Sequence, residues 1–216
     1  MMRGGIFLVA VFAALLFPAA AQAHNDVTAA LVCGTHQALQ EGRGNRWHIE
    51  KCERVAYAFN ATPWPMRVFS ITIIESDLND KAVSKPVRVM TPAGPRKAVD
   101  VGLLGIRCIL SKGGLLCENL EVTDAEGHKH RVLLVDLFVP EINIALGTRI
   151  IREKVRACGV QWANCYNGNP SGSKNYGGQI TAVSAALGGF RVKGGTARIR
   201  EITRRIVAVV FSLRRS

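Results

Sequence analysis

Glu75 closes a mostly apolar run, Met66 to Ile74, and Ser76 and Asp77 follow it directly. A lone glutamate at a helix end is ordinarily a solvated charge. One whose preceding turns are apolar is carried towards the interior. Burial disfavours the ionised form and lifts a carboxyl pKa above its reference of about 4.3. A carboxyl group held near ~6 is the general acid that glycosidic cleavage needs. Three further motifs follow in order. Gly102-Leu103-Leu104-Gly105-Ile106 holds two glycines that let backbone approach a ligand. In Cys165-Tyr166-Asn167-Gly168, Tyr166 offers a flat face to a sugar and a hydroxyl to a carboxyl group, and Asn167-Gly168 suits a tight polar loop. Asn175-Tyr176 comes last. Each motif alone is ordinary, but their order and polarity together nominate Glu75 and a sugar-polymer substrate.

Positioning these residues takes several elements. Thr62-Pro63-Trp64-Pro65 reads as a helix start, because proline suits the first turn and not the interior. The helix that follows is apolar on nearly all sides, so it is predicted to be buried, ending at Glu75-Ser76-Asp77. Trp47 to Phe59 could form an earlier helix. Val83 to Asp100, with Pro86, Pro92, Gly94 and Pro95, reads as a surface loop. Leu115–Val122 and His130–Val135 flank Asp124-Ala125-Glu126-Gly127 and predict a small β-hairpin. Ile144, Gly147, Ile151, Val155 and Cys158 recur at helical spacing across 142–158. Asn167 to Gly178 must be a loop, and 179–187 a helix. Ile199, Ile202, Ile206, Val209, Val210 and Leu213 mark a last helix, ringed by arginines. Such a basic amphipathic helix either packs its apolar side on its own domain or lies peripherally on an anionic membrane. The fold class expected is mainly α (α+β), with the hairpin as an insertion.

The address narrows the partners. Residues 1–23 read as a signal peptide: Arg3, an apolar stretch from Ile6 to Phe17, and Ala21-Gln22-Ala23 as the cleavage pattern. The apolar stretch is short for a membrane span, which needs about 20 residues. No cysteine follows the cleavage site directly, so a lipoprotein is not expected. The remaining chain, about 190 residues, suffices for one domain with a real core. The chain is predicted to be exported and periplasmic. Its six cysteines, Cys33, Cys52, Cys108, Cys117, Cys158 and Cys165, then predict disulfides. Local proximity suggests Cys33–Cys52, Cys108–Cys117 and Cys158–Cys165, although sequence alone does not choose among the possible pairings. No Cys-x-x-Cys or His-x-x-x-His pair is present, so neither a metal nor another cofactor is expected. A net charge of +12 ordinarily suggests nucleic acid. An exported protein meets instead peptidoglycan and anionic lipid surfaces.

The motifs together resemble the catalytic domain of bacterial lytic transglycosylases. Ile73-Ile74-Glu75-Ser76-Asp77-Leu78-Asn79 with Ala82-Val83-Ser84 is similar to that family's catalytic Glu-Ser motif. Gly102–Ile106 is similar to its Gly-Leu-Met-Gln-Ile, with Gly105 where the family has glutamine. Asp136 through Asn143 and Gly147 to Ile151 resembles its Asp…Asn…Gly…Leu helix. Cys165–Gly168 is similar to its Ala-Tyr-Asn-Gly, and Lys174-Asn175-Tyr176 to its late tyrosine motif. The likeness spans roughly residues 50–187. It leaves 24–49 as a lead-in and 188–216 as a basic extension. The single-domain size resembles the small enzymes that accompany secretion, conjugation or pilus systems.

The resemblance implies a lysozyme-like fold with Glu75 as the only catalytic acid/base and peptidoglycan glycan strands as the partner. Glu75 would protonate the oxygen joining N-acetylmuramic acid to N-acetylglucosamine, then deprotonate the muramoyl C6 hydroxyl, leaving a 1,6-anhydro end. The substrate's acetamido group would stabilise the cation, an exception to the two-carboxylate rule. Ser76 would hold the substrate or orient Glu75. Gly102, Leu103 and Leu104 would line the cleft, Tyr166 would hydrogen-bond Glu75, and Asn167 and Tyr176 would support the cleft. A hydrolytic lysozyme is the nearest alternative and would need a second carboxylate, from Asp77, Asp80, Asp100 or Asp136. Asp136 reads better as a helix-start cap. A non-catalytic glycan-binding module is a further alternative. A copper site on a mature N-terminal His24 would need a partner histidine on a β-sandwich, whereas the chain reads helical.

Overall fold

The computed structural model describes residues 27–123, 126–168, 175–188 and 196–215, without the side chains of residues 196 and 197. The leader expected at 1–23, His24, the tip of the 124–127 turn and Lys174 lie outside the described residues. Seven α-helices are found among the described residues: α1 Ala29–Leu39, α2 Ile49–Asn60, α3 Pro65–Ser76, α4 Pro140–Cys158, α5 Trp162–Tyr166, α6 Tyr176–Leu187 and α7 Thr196–Arg215. Between α3 and α4 come β1 Val87–Thr91, β2 Gly94–Val101, β3 Ile106–Ile109, β4 Leu116–Thr123 and β5 Lys129–Leu133. The molecule is a mixed helix-and-strand fold with two small antiparallel sheets, β1-β2-β3 and β4-β5.

α3 is the hub. Pro65 occupies its first turn, and Val68, Phe69, Ile71 and Ile73 are fully buried, with α2 and α6 packed on it. A helix apolar all round is stable only when enclosed, and burying each such side chain contributes about 1.5–3 kcal/mol. α1, read from sequence as part of a polar lead-in, packs against α2 and α7. Thr28 caps it by accepting from the Leu31 amide at 3.3 Å. α7 buries Ile202, Ile206 and Val210 in the same core and leaves most of its arginines outside. Among the described residues no helix is long and apolar enough to cross a membrane.

The stretch 83–100, read as a loop, is instead mostly a hairpin. β1 pairs with β2 from Val87↔Ala98 to Thr91↔Gly94, and β2 pairs on with β3. The prolines misled because Pro92 and Pro95 sit at the turn end of the ladder, where a missing N–H costs little. The hairpin predicted at 115–135 is present as β4-β5. All six cysteines are paired as local proximity suggested: Cys33–Cys52, Cys108–Cys117 and Cys158–Cys165. They staple α1 to α2, β3 to β4, and the end of α4 to α5, a pattern that fits an oxidising, exported environment.

One buried amide locks the 102–105 turn to α4. Asn143 Oδ1 accepts from the Leu104 amide at 2.8 Å, and its Nδ2 donates to Val101 O at 3.0 Å and Leu137 O at 2.9 Å. Replacing Asn143 by alanine strands one amide and two carbonyls in the interior. Each unsatisfied buried group costs about 1–3 kcal/mol, so urea unfolding should show a loss of about 3 kcal/mol or more. A loss under ~1 kcal/mol would mean the turn relaxes to water.

Candidate active site

Glu75 sits on the last turn of α3 and ends the helix against a tightly held reversal. Asp77 and Leu78 both adopt left-handed backbone, φ 55° and 59°, which is costly for residues other than glycine. Surrounding groups hold it there. Gln40 Nε2 donates to Asp77 O at 2.9 Å, and His36 Nδ1 lies 3.0 Å from Leu78 O. Arg43 and Arg214 pair with the Asp77 carboxylate, while Lys51 and Trp47 both bond Asp80. Thus the segment read as a lead-in positions the end of α3 through side chains that sequence reading left unassigned. Burial lowers the pKa of His36, which stacks on Trp47 at 3.9 Å. No sequence pattern announced this set, because polar residues directed inward look like surface residues until the chain is folded.

The 102–105 turn crosses the end of α3. Ser76 Oγ lies 2.9 Å from Leu103 O and 3.0 Å from Thr72 O, and donates its proton between them. Gly102 N donates to Ala82 O at 2.9 Å, and Ser84 N to Asp100 O at 2.9 Å, so Ala82-Val83-Ser84 packs along the same turn. Gly102 has φ +75°, and a Cβ there would strike Asn143 and the Leu137 carbonyl. Gly102, Leu103 and Leu104 therefore do not form a substrate surface: all three are buried, and Leu104 fits against Gly147, where a Cβ would lie 2.9 Å from Leu104 Cβ. Their task is to build the turn. Gly105 alone of this motif is turned to the acid.

Tyr166, expected on Glu75, donates instead to Leu104 O at 2.6 Å. The hydroxyl that reaches Glu75 is that of Tyr176, which donates to Glu75 Oε1 from the first residue of α6. Asn175 caps that helix, accepting from Gly178 N at 2.9 Å, and so aims Tyr176. The two tyrosine rings lie 6.4 Å apart with planes 22° apart. Tyr176 is buried and Tyr166 partly so. Burial, then the neighbouring Glu75 charge, push both phenols up, so both stay protonated donors.

Glu75 itself has its pKa raised from 4.5 to about 7. Burial is the main cause. The Tyr176 hydrogen bond opposes it, and the charge of Asp100 adds to it. The carboxyl opens into a cleft of ≈ 400 Å³ whose lining includes Asp100, Gly105, Arg107, Tyr166 and Asn167. Of the four candidate second carboxylates, Asp100 is the one in this cleft. Arg107 grips both its oxygens, at 2.8 and 3.0 Å. Asp136 caps the turn before α4, accepting from Leu133 N at 2.9 Å. Among the described residues no group of His, Cys, Asp and Glu is arranged to hold a metal.

This arrangement can deliver a proton near neutral pH from one carboxyl and take it back. Replacing Tyr176 by phenylalanine removes the one side-chain hydrogen bond that the Glu75 carboxylate receives among the described residues, so the Glu75 pKa should rise above its present value of about 7. The basic limb of a pH–rate profile should move to higher pH, and the rate at its plateau should fall about tenfold as Glu75 loses its orientation. An unmoved limb would show that the phenol does not act on Glu75.

No family model matches the chain, and neither the curated proteins nor the solved structures include a significant match.

Proposed function

We propose that this chain is a peptidoglycan lytic transglycosylase with Glu75 as its single acid/base. The observation that carries the reading is a carboxyl group at the mouth of a cleft, lifted to about 7 by burial and hydrogen-bonded by a buried tyrosine. With a pKa of about 7, Glu75 is about half protonated at neutral pH and mostly so below it, and it gives its proton to the glycosidic oxygen. The resulting carboxylate, steadied by Tyr176, accepts the proton of the muramoyl C6 hydroxyl, which closes on C1. The substrate acetamido group stabilises the intermediate cation, so no second protein carboxylate takes part. Asp100 has both oxygens engaged by Arg107, which leaves it poorly placed to activate water and favours ring closure over hydrolysis. On this reading the helices around α3 form a lysozyme-like fold and Asn167 contacts sugar at the cleft rim.

The disulfides and the leader expected at 1–23 support export to the periplasm, where local wall opening would serve an envelope machine of the secretion, conjugation or pilus kind. Hydrolysis remains the second reading because Asp100 does share the cleft. Mass spectrometry of the soluble products from purified peptidoglycan separates the two. Anhydro-muropeptides are expected. Reducing ends would make the protein a lysozyme, and no products, with retained pelleting on glycan, would leave a binding module.

A further inference from the structure

The hairpin of β1 and β2 carries Lys85, Arg88, Arg96 and Lys97 and no aspartate or glutamate from residue 83 to 99. Lys97 turns its backbone towards β3, where its carbonyl accepts from Leu110 N at 2.8 Å. Arg88 and Lys97, opposite each other in the ladder, therefore form a non-hydrogen-bonded pair, the closest side-chain approach that an antiparallel sheet offers. Like charges so placed destabilise a sheet. Among the described residues Arg88, Lys97 and Lys112 make no ion pair that would relieve them. All three help line one hollow of ≈ 840 Å³, together with Arg96, and no carboxylate lies in that lining among the described residues. Further along the same face come Met90 and Pro95, opposite each other, and Met90 is 76% exposed. The turn beyond, Thr91-Pro92-Ala93-Gly94, is uncharged, and the Thr91 hydroxyl is satisfied internally, donating to Gly94 O at 2.6 Å. An apolar tip is thus collared by unpaired cations, on a strand held chiefly by β2.

We infer that this hairpin docks the protein on an anionic phospholipid bilayer, with Met90 and the turn entering the headgroup layer and Arg88, Lys97 and Lys112 over the lipid phosphates. Peripheral binding combines buried apolar area with electrostatic attraction, and this tip supplies both. Lipid phosphates also account for the like-charged pair, which is unfavourable in the free protein and relieved from outside. An acidic protein segment would answer the cations and leave the apolar tip in water. α7, the helix that sequence alone put forward for a membrane, buries Ile202, Ile206 and Val210 in the core instead. β2 runs from Gly94 at the tip to Asp100 in the Glu75 cleft, about 20 Å at the rise of a strand. Docking by the tip holds the cleft off the lipid and does not depend on the reaction assigned to Glu75.

Co-sedimentation tests this with vesicles of phosphatidylcholine alone and of phosphatidylcholine with ~30% phosphatidylglycerol. The protein should bind the anionic vesicles and not the neutral ones, and ~0.5 M salt should release it. Arg88→Gln with Lys97→Gln should weaken binding about thirtyfold, while the unfolding temperature stays level or rises because the like-charged pair is gone. Met90→Asp should weaken binding about tenfold. The charge-matched control Arg200→Gln with Arg204→Gln, on the solvent side of α7, should change it about threefold at most. All variants share one N-terminus, so a leader cannot produce the differences. No binding to anionic vesicles, or binding indifferent to the hairpin substitutions, overturns the docking. An equal loss in the α7 control overturns it too, because net charge alone would then explain the binding. A loss in the Arg88 and Lys97 variant with none in Met90→Asp, together with competition by polyglutamate, would make the face a site for an acidic protein and overturn the bilayer.

Discussion

Glu75→Gln should abolish cleavage and at the same time stabilise the protein above neutral pH. Glutamine fills the same space and can still accept from the Tyr176 hydroxyl, so the cleft keeps its shape. It has no proton to give, and general acid catalysis by a positioned carboxyl is worth about 10²–10⁴ in rate. We expect kcat to fall by about 10³ or more with substrate binding retained. The stability effect follows from the same burial. Between pH 4.5 and about 7 the folded carboxyl keeps a proton that the unfolded chain releases. The folded state binds more protons there, so stability falls as pH rises through that window and the loss is complete above about pH 7. A raised pKa of this size corresponds to roughly 3 kcal/mol. Urea unfolding should therefore show Glu75→Gln gaining on the native protein as pH goes from 4 to 8. A stability difference that ignores pH would mean that Glu75 titrates as an exposed carboxyl and is no general acid near neutrality.

Gly105→Ala should cost about 10²-fold in kcat, a large loss for one methyl group. Gly105 has φ +55°, a conformation unfavourable for any residue with a Cβ, and a Cβ there would lie 2.9 Å from Glu75 Oε2. Either the turn or the carboxyl has to shift. The turn is anchored by Asn143, Tyr166 and Ser76, so the carboxyl moves, and a displacement near ~1 Å at a reacting group costs about 10²-fold. The resemblance places a glutamine at this position. On this backbone Gly105→Gln should be at least as damaging as alanine, because the Cβ conflict comes before any polar contact the amide could make. Steady-state kinetics should show the loss in kcat, with KM changed little. Native kcat in Gly105→Ala would mean that Glu75 has room to move aside.

These two residues were visible in the sequence for different reasons. Glu75 stood out because apolar turns before it predict burial, and α3 is buried as expected, from Val68 to Ile73. The helices α4 and α7 follow from periodic apolar residues and α3 from its apolar run after Pro65 at a first turn, all properties of neighbouring residues; α2 and α6 were expected too, although α6 begins at Tyr176, inside the stretch read as a loop. α1 was missed because its inward side carries Thr35 and His36, which local pattern reads as surface. β1 and β2 were missed because their prolines lie where the ladder ends. Gly105 was noticed as a glycine that lets backbone approach a ligand and as a departure from a family pattern, but the reason for glycine there is a contact with a residue 30 positions earlier.

By itself, then, the sequence nominated Glu75, showed the motif order around it and most of the helix-rich elements, and suggested the short-range disulfides without choosing among the pairings. Each of these depends on residue type and near spacing. Only the tertiary structure decided which tyrosine meets Glu75. Tyr166 and Tyr176 are both protonated phenols on neighbouring helices, and chemistry alone does not rank them. The choice lies in where α5 and α6 aim their side chains once α6 docks on α3, 101 residues from the glutamate it serves. The same holds for Leu104, seated in the core against Gly147, for the buried Leu103, and for Arg214, brought to Asp77 from 137 residues away. Side-chain direction across distant elements is set by packing, and packing is a property of the whole folded chain.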